Sequence, residues 1–198
     1  MKPITERPGA GLPFLEGLVL RYWIFPRLVK QLGRDGSHRL WTHESEKVLR
    51  LVESVPSERV VVPVLIHRLR GLEDSSRCWS ILQTLEHVDT VSRLMVQTAR
   101  SLEQGVVPSG TVSTADVKPQ SGWHASDWKT RWQQLSQDIG QALSSHDYVE
   151  AKTNQGSQLR YEHPWFGPLT SVEWRALVSL HLRIHRQQIE AIARTFSA

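Results

Sequence analysis

His181 and His185 stand four residues apart in a stretch that also carries Gln188 and Ile189. On a helix that spacing puts both imidazoles on one side of a turn, and neutral imidazole is the commonest biological metal ligand. The pattern lacks the glutamate of a zincin helix, so a zincin-type hydrolase is not indicated. Two readings stay open at this point: half of a metal site, or two core histidines bonded to backbone or side-chain acceptors. A third ligand decides between them, and His87, on a separate helical segment, is the best candidate. His38, His43, His67, His124, His146 and His163 lie outside the longest helical segments, where an exposed loop histidine is the default.

The elements that must position these residues can be read from periodicity and breakers. No proline or glycine interrupts the chain from Ser171 onward, and Thr170 with Glu173 forms a capping box, so a long helix begins there. Trp174, Leu177, His181, Ile184, His185, Gln188 and Ile192 share its apolar face, while Arg175, Ser179, Arg183, Arg186 and Glu190 fall on a face expected to be wet. A second long helix is expected over Arg77 to Gln104, started by Asp74-Ser75-Ser76 and ended by Gly105. His87 lies at the margin of its apolar stripe. A third helix is expected over Trp128 to Leu143, with Trp128, Trp132, Leu135, Ile139 and Leu143 at helical spacing.

Between the second and third helices, Val106 to Trp123 carries Pro108, Gly110, Pro119 and Gly122 and reads as a long crossover. Nearer the start, Phe14 to Leu32 is helical in pattern with a kink expected at Pro26, and Gly33 to Gly36 is a breaker. Thr42 is the expected N-cap of a helical piece running to Val55. Pro56 to Asp74 reads as an irregular connection, and Ser144 to Tyr161 as a polar loop.

Composition limits the function classes. The 198 residues suit one domain, and 24 Lys+Arg interspersed with 20 Asp+Glu give a net charge of +4 without any like-charge block. Neither nucleic-acid binding nor a membrane partner is indicated. Cys78 is the single cysteine, which excludes an internal disulfide and fits a reducing, cytoplasmic setting. Eight tryptophans suggest a heavy aromatic core or a lined pocket.

In order along the chain come Trp79-Ser80, then Leu85-Glu86-His87. Later come His163-Pro-x-Phe166-Gly-Pro-Leu-Thr170 and His181-x-x-x-His185-x-x-Gln188-Ile189. This ordered set resembles the DinB/YfiT-like metalloenzymes over roughly residues 40 to 195. The resemblance implies an all-α fold, a four-helix bundle with a long crossover between helices 2 and 3. It also implies a divalent metal ion, typically zinc or nickel, held by His87, His181 and His185 with water at the open positions. Three neutral imidazoles leave such an ion its full charge, able to acidify water or activate a thiolate.

The expected organisation is therefore a single domain, 1–198, with 1–40 as an N-terminal helical extension and 41–198 as the bundle. The extension, and the length of the Pro56–Asp74 link, depart from the family pattern. The expected function is metal-dependent thiol S-transfer, using a low-molecular-weight thiol, or hydrolysis of a small molecule, in a protein that can pair as a homodimer. The rival is a non-catalytic binding or stress-related interaction protein that keeps the histidines as structure. Gln188 is expected either behind a ligand as its hydrogen-bond partner or as an ordinary helix-face amide. Trp79, Trp165 and Trp174 are expected to wall a pocket or fill the core.

Overall fold

The computed structural model describes residues 5–110, 113–144 and 159–196, where the chain is mostly helical with two short two-stranded ribbons. Helix α1 (Phe14–Val19) runs through a π-helical turn (Leu20–Ile24) into α2 (Phe25–Glu53). Pro26 falls in the first turn of α2, and the widened turn before it accommodates the missing N–H, so the chain continues there. The break comes at Gly33, whose φ of 58° belongs to the left-handed region that glycine enters without steric cost. The helix resumes at once, earlier than the pattern suggests. Thr42, the expected cap, lies inside it and donates its hydroxyl back to the His38 carbonyl at 3.1 Å.

Strand β1 (Val64–Leu65) pairs antiparallel with β2 (Cys78–Trp79), enclosing a 3₁₀ turn at Asp74–Ser76. Helix α3 (Ile81–Glu103) therefore starts later than Asp74-Ser75-Ser76 implies. Its cap is Ser80, which accepts the Gln83 N–H at 3.1 Å while the Gln83 side chain accepts the Ser80 N–H at 2.9 Å. Helix α4 (Trp128–Ser144) follows the crossover, β3 (Tyr161–His163) pairs with β4 (Gly167–Leu169), and α5 (Ser171–Arg194) ends the fold. The Thr170–Glu173 capping box forms as expected. Most of the polar loop expected over 144–161, and His146 with it, lies outside the described residues.

Helix α5 packs against α2 and α3, and α4 packs on the same pair. Trp41, Leu85, Trp132, Leu135, Leu182 and Ile189 are fully buried between them. Two indoles tie α2 to α4, with Trp41 donating to the Ser136 carbonyl and Trp132 to the Ser45 carbonyl, each at 3.1 Å.

The α5 face expected to be wet is largely covered instead. Ser179 is buried and donates to the Ser37 carbonyl at 2.6 Å. Arg175 forks onto Glu103 at 2.6 and 2.9 Å, and Arg186 reaches Glu44 at 2.6 Å and Glu190 at 2.7 Å. Periodicity marks charge, but it does not reveal that facing helices carry acids to neutralise it. No helix among the described residues is long and apolar enough to cross a membrane.

Candidate metal centre

His87 projects from α3, and His181 and His185 from successive turns of α5, so the α3–α5 contact brings all three together. The His181 Nε2 lies 3.2 Å from Nε2 of His87 and 3.1 Å from Nε2 of His185. One ligand atom from each residue falls within 4.8 Å of the others. For a tetrahedral ion with 2.0–2.1 Å bonds to imidazole, neighbouring ligand nitrogens are about 3.3 Å apart. The observed separations are close to that edge length.

The opposite ring edges fix which nitrogen carries the proton. His87 Nδ1 is 2.8 Å from the Val117 carbonyl, which can only accept, so Nδ1 bears the hydrogen and Nε2 the lone pair. For His185 the relay is longer. The Gln188 amide NH₂ donates to the Ser76 carbonyl at 2.7 Å, which turns Oε1 toward His185 Nδ1, also at 2.7 Å. Nδ1 of His185 is then the donor, and its Nε2 lone pair points inward. His181 differs, for its Nδ1 is buried with no partner.

Burial strips these rings of water and disfavours the imidazolium form. His87 is pushed down to about 4, mainly by desolvation and slightly by the Lys118 ammonium, against the Val117 hydrogen bond. His181 and His185 fall well below the ordinary histidine value, first through burial and then through the mutual repulsion of the cluster. All three are neutral at pH 7, the state a metal ligand needs.

Trp79 sits behind the triad, its ring 5.0 Å from His87 and stacked at 6.2 Å on His185. Lys118 lies over the same indole at 5.2 Å and pairs with Glu73. Burial alone would raise Glu73, but Lys118 and the Gly11 N–H outweigh it and hold the carboxyl below its usual range. That carboxylate also accepts the N–H groups of Gly9 at 2.8 Å and Gly11 at 3.1 Å, which straps the N-terminal segment over the site.

The strap, the π-helical turn and α2 complete a cavity of about 180 Å³ on the open side of the triad. Leu20 and Ile24 line it from the π-helical turn, Leu28 from α2, Val91 and Met95 from α3, and Ile184 from α5. Trp165 and Trp174 line it as well, whereas Gln188 is fully buried behind His185. Phe14 and Leu15 of α1, and Tyr22 and Trp23 of the π-helical turn, are exposed.

Among the remaining histidines, His67 and His124 are exposed in loops, and His38 and His43 lie on α2. His163 departs from the loop default. It is buried at the end of β3, lines the cavity, and is pushed down to about 4 by desolvation. Its position inside an aromatic turn was the available signal. Lys118 and the Val117 carbonyl, delivered by the crossover, carried none.

No family model, curated protein or solved structure matches the chain.

Proposed function

We propose that this chain is a DinB-like four-helix bundle, α2 to α5, that binds one divalent ion through His87, His181 and His185. Zinc or nickel suits a neutral three-nitrogen donor set. The observation that carries the reading is the convergence of three Nε2 atoms, with Val117 and Gln188 holding two of the lone pairs inward. Bound there, such an ion supplies Lewis acidity and lowers the pKa of water or a thiol.

The protein's own residues supply the remainder. Val117 and Gln188 orient two imidazoles, while the cavity walls exclude bulk water and hold an apolar reactant beside the triad. Of the carboxylates lining the chamber, Glu73 is committed to Lys118 and Glu162 is exposed. A thiol ionises far more readily than water, so transfer of a low-molecular-weight thiol to a small electrophile fits better than hydrolysis.

The test is calorimetric titration of untagged protein with zinc and nickel. It is paired with consumption of glutathione, bacillithiol or mycothiol in the presence of a reactive chloroarene. Stoichiometric binding and metal-dependent turnover, both lost in His181→Ala, support the proposal.

One observation favours a non-catalytic rival. His181 Nε2–H can be shared between the two neighbouring Nε2 acceptors, which satisfies those inward atoms without an ion. Absence of zinc or nickel binding, with melting unchanged by EDTA, selects that reading.

A further inference from the structure

His163 is the fourth buried imidazole of the chamber, and its two nitrogens face different surroundings. Nδ1 lies 3.1 Å from the Trp165 N–H and 3.3 Å from the Phe166 N–H, accepting both. A nitrogen that accepts is unprotonated, so the neutral ring carries its hydrogen on Nε2. Among the described residues no protein acceptor takes that hydrogen, and the ring lines the cavity.

Trp174 packs beside it, with ring centres 5.3 Å apart. Its indole N–H is buried without an acceptor, and this residue lines the same cavity. A buried donor left unpaired costs about 1–3 kcal/mol. That orphaned indole donor, beside an imidazole N–H left without a protein acceptor in a mostly apolar wall, indicates that the acceptor arrives with a ligand.

The rest of the lining narrows the ligand class. Among the described residues the wall contains no lysine or arginine but does contain Glu73 and Glu162, which disfavours an anion. Its volume of about 180 Å³ compares with the ~150 Å³ of an apolar cavity that takes up benzene. One ring with a small substituent fits.

We propose that the cavity binds a neutral, apolar molecule of about one ring that bears a carbonyl oxygen, held by the His163 Nε2–H and Trp174 Nε1–H groups. This deepens the reading above, since the chamber is the one that opens on the histidine triad. Because Nδ1 is held as acceptor by the Trp165 and Phe166 N–H groups, the neutral ring keeps its hydrogen on Nε2 and the donor is always offered to the cavity.

The probes are acetophenone and α-methylstyrene, which differ by exchange of the carbonyl oxygen for a CH₂ of similar shape. Binding is measured by ligand-observed NMR on metal-loaded and EDTA-treated protein. The expected result is a preference of about tenfold for acetophenone in both states. In His163→Asn the amide oxygen replaces Nδ1 as acceptor for the turn while the Nε2 donor is lost. The preference should fall to within about twofold there, with α-methylstyrene affinity retained, and should shrink likewise in Trp174→Phe.

Equal binding of both probes, or of neither, by the wild-type protein overturns the proposal, as does a preference that survives in both variants. A preference seen only with metal also overturns it, because the ion and not His163 would then hold the oxygen. A preference that persists in protein unable to bind zinc or nickel supports this assignment and sinks the metal reading alone.

Discussion

Replacing Gln188 by methionine tests the link between core packing and the triad. The side chain is fully buried and makes hydrogen bonds of 2.7 Å to both His185 Nδ1 and the Ser76 carbonyl. Methionine nearly preserves the volume, so the packing loss is small. Two buried polar groups lose their partner, at about 1–3 kcal/mol each, which gives a total of about 2–6 kcal/mol. That is a large share of an ordinary domain's stability of about 5–15 kcal/mol.

The second effect is on the ligand. With Oε1 gone, nothing fixes the proton on Nδ1 of His185, and zinc affinity should fall about 10–100-fold. Glutamate separates the two effects. Gln188→Glu keeps an acceptor for His185 but loses the donor to Ser76, so it should destabilise the fold while retaining most of the zinc affinity. Urea unfolding in EDTA reads the first quantity, and competition with a chromophoric zinc chelator reads the second. Zinc affinity within threefold of wild type in a folded Gln188→Met protein would refute the orienting role.

Other outcomes follow from the same contacts. His87 and His163 are held near pKa 4 by burial, against about 6.5 in the unfolded chain. Below pH 6.5 the unfolded state takes up protons that the native state excludes, so apo stability should decline between about 6.5 and 4 and stay flat above 7. The loss at pH 5 is about 2 kcal/mol for each ring, and an unchanged urea midpoint between pH 7.5 and 5 contradicts it. Glu44→Ala removes the acid beneath Arg186, which keeps only Glu190. It should cost about 3 kcal/mol by urea unfolding and leave zinc stoichiometry unaltered. Ser80→Ala breaks the cap of α3 and should lower stability by about 1 kcal/mol, measured the same way.

The parts legible in the sequence are those governed by local chemistry. The Thr170–Glu173 box, the unbroken run to Arg194 and the i, i+4 histidines all read directly because capping and periodicity are short-range. The start of α3 is less legible, because Asp74-Ser75-Ser76 forms only a 3₁₀ turn and the Ser80–Gln83 box lies beyond the strand Cys78–Trp79. The covered face of α5 was hidden for a different reason. Its arginines are neutralised by Glu44 and Glu103 from other helices, a long-range pairing that no single helix announces.

The same division holds at the site. Residue types and spacing pointed to the triad, but its orienting groups include two backbone carbonyls, Val117 and Ser76, which no side-chain pattern encodes. An exposed loop is the default for His163 because it lies outside the long helical segments. Folding buries it because the turn closes with aromatic rings against the cavity, Phe166 at 5.1 Å and Trp174 at 5.3 Å.

The most direct measurement is the metal content of untagged protein dialysed against zinc, determined by mass spectrometry alongside His87→Ala, His181→Ala and His185→Ala. One equivalent per chain in the wild type, with little retained in any of the three folded variants, is the expected result. A wild-type chain that emerges without metal, or variants that retain as much as it does, contradicts the claim that these imidazoles form one binding site.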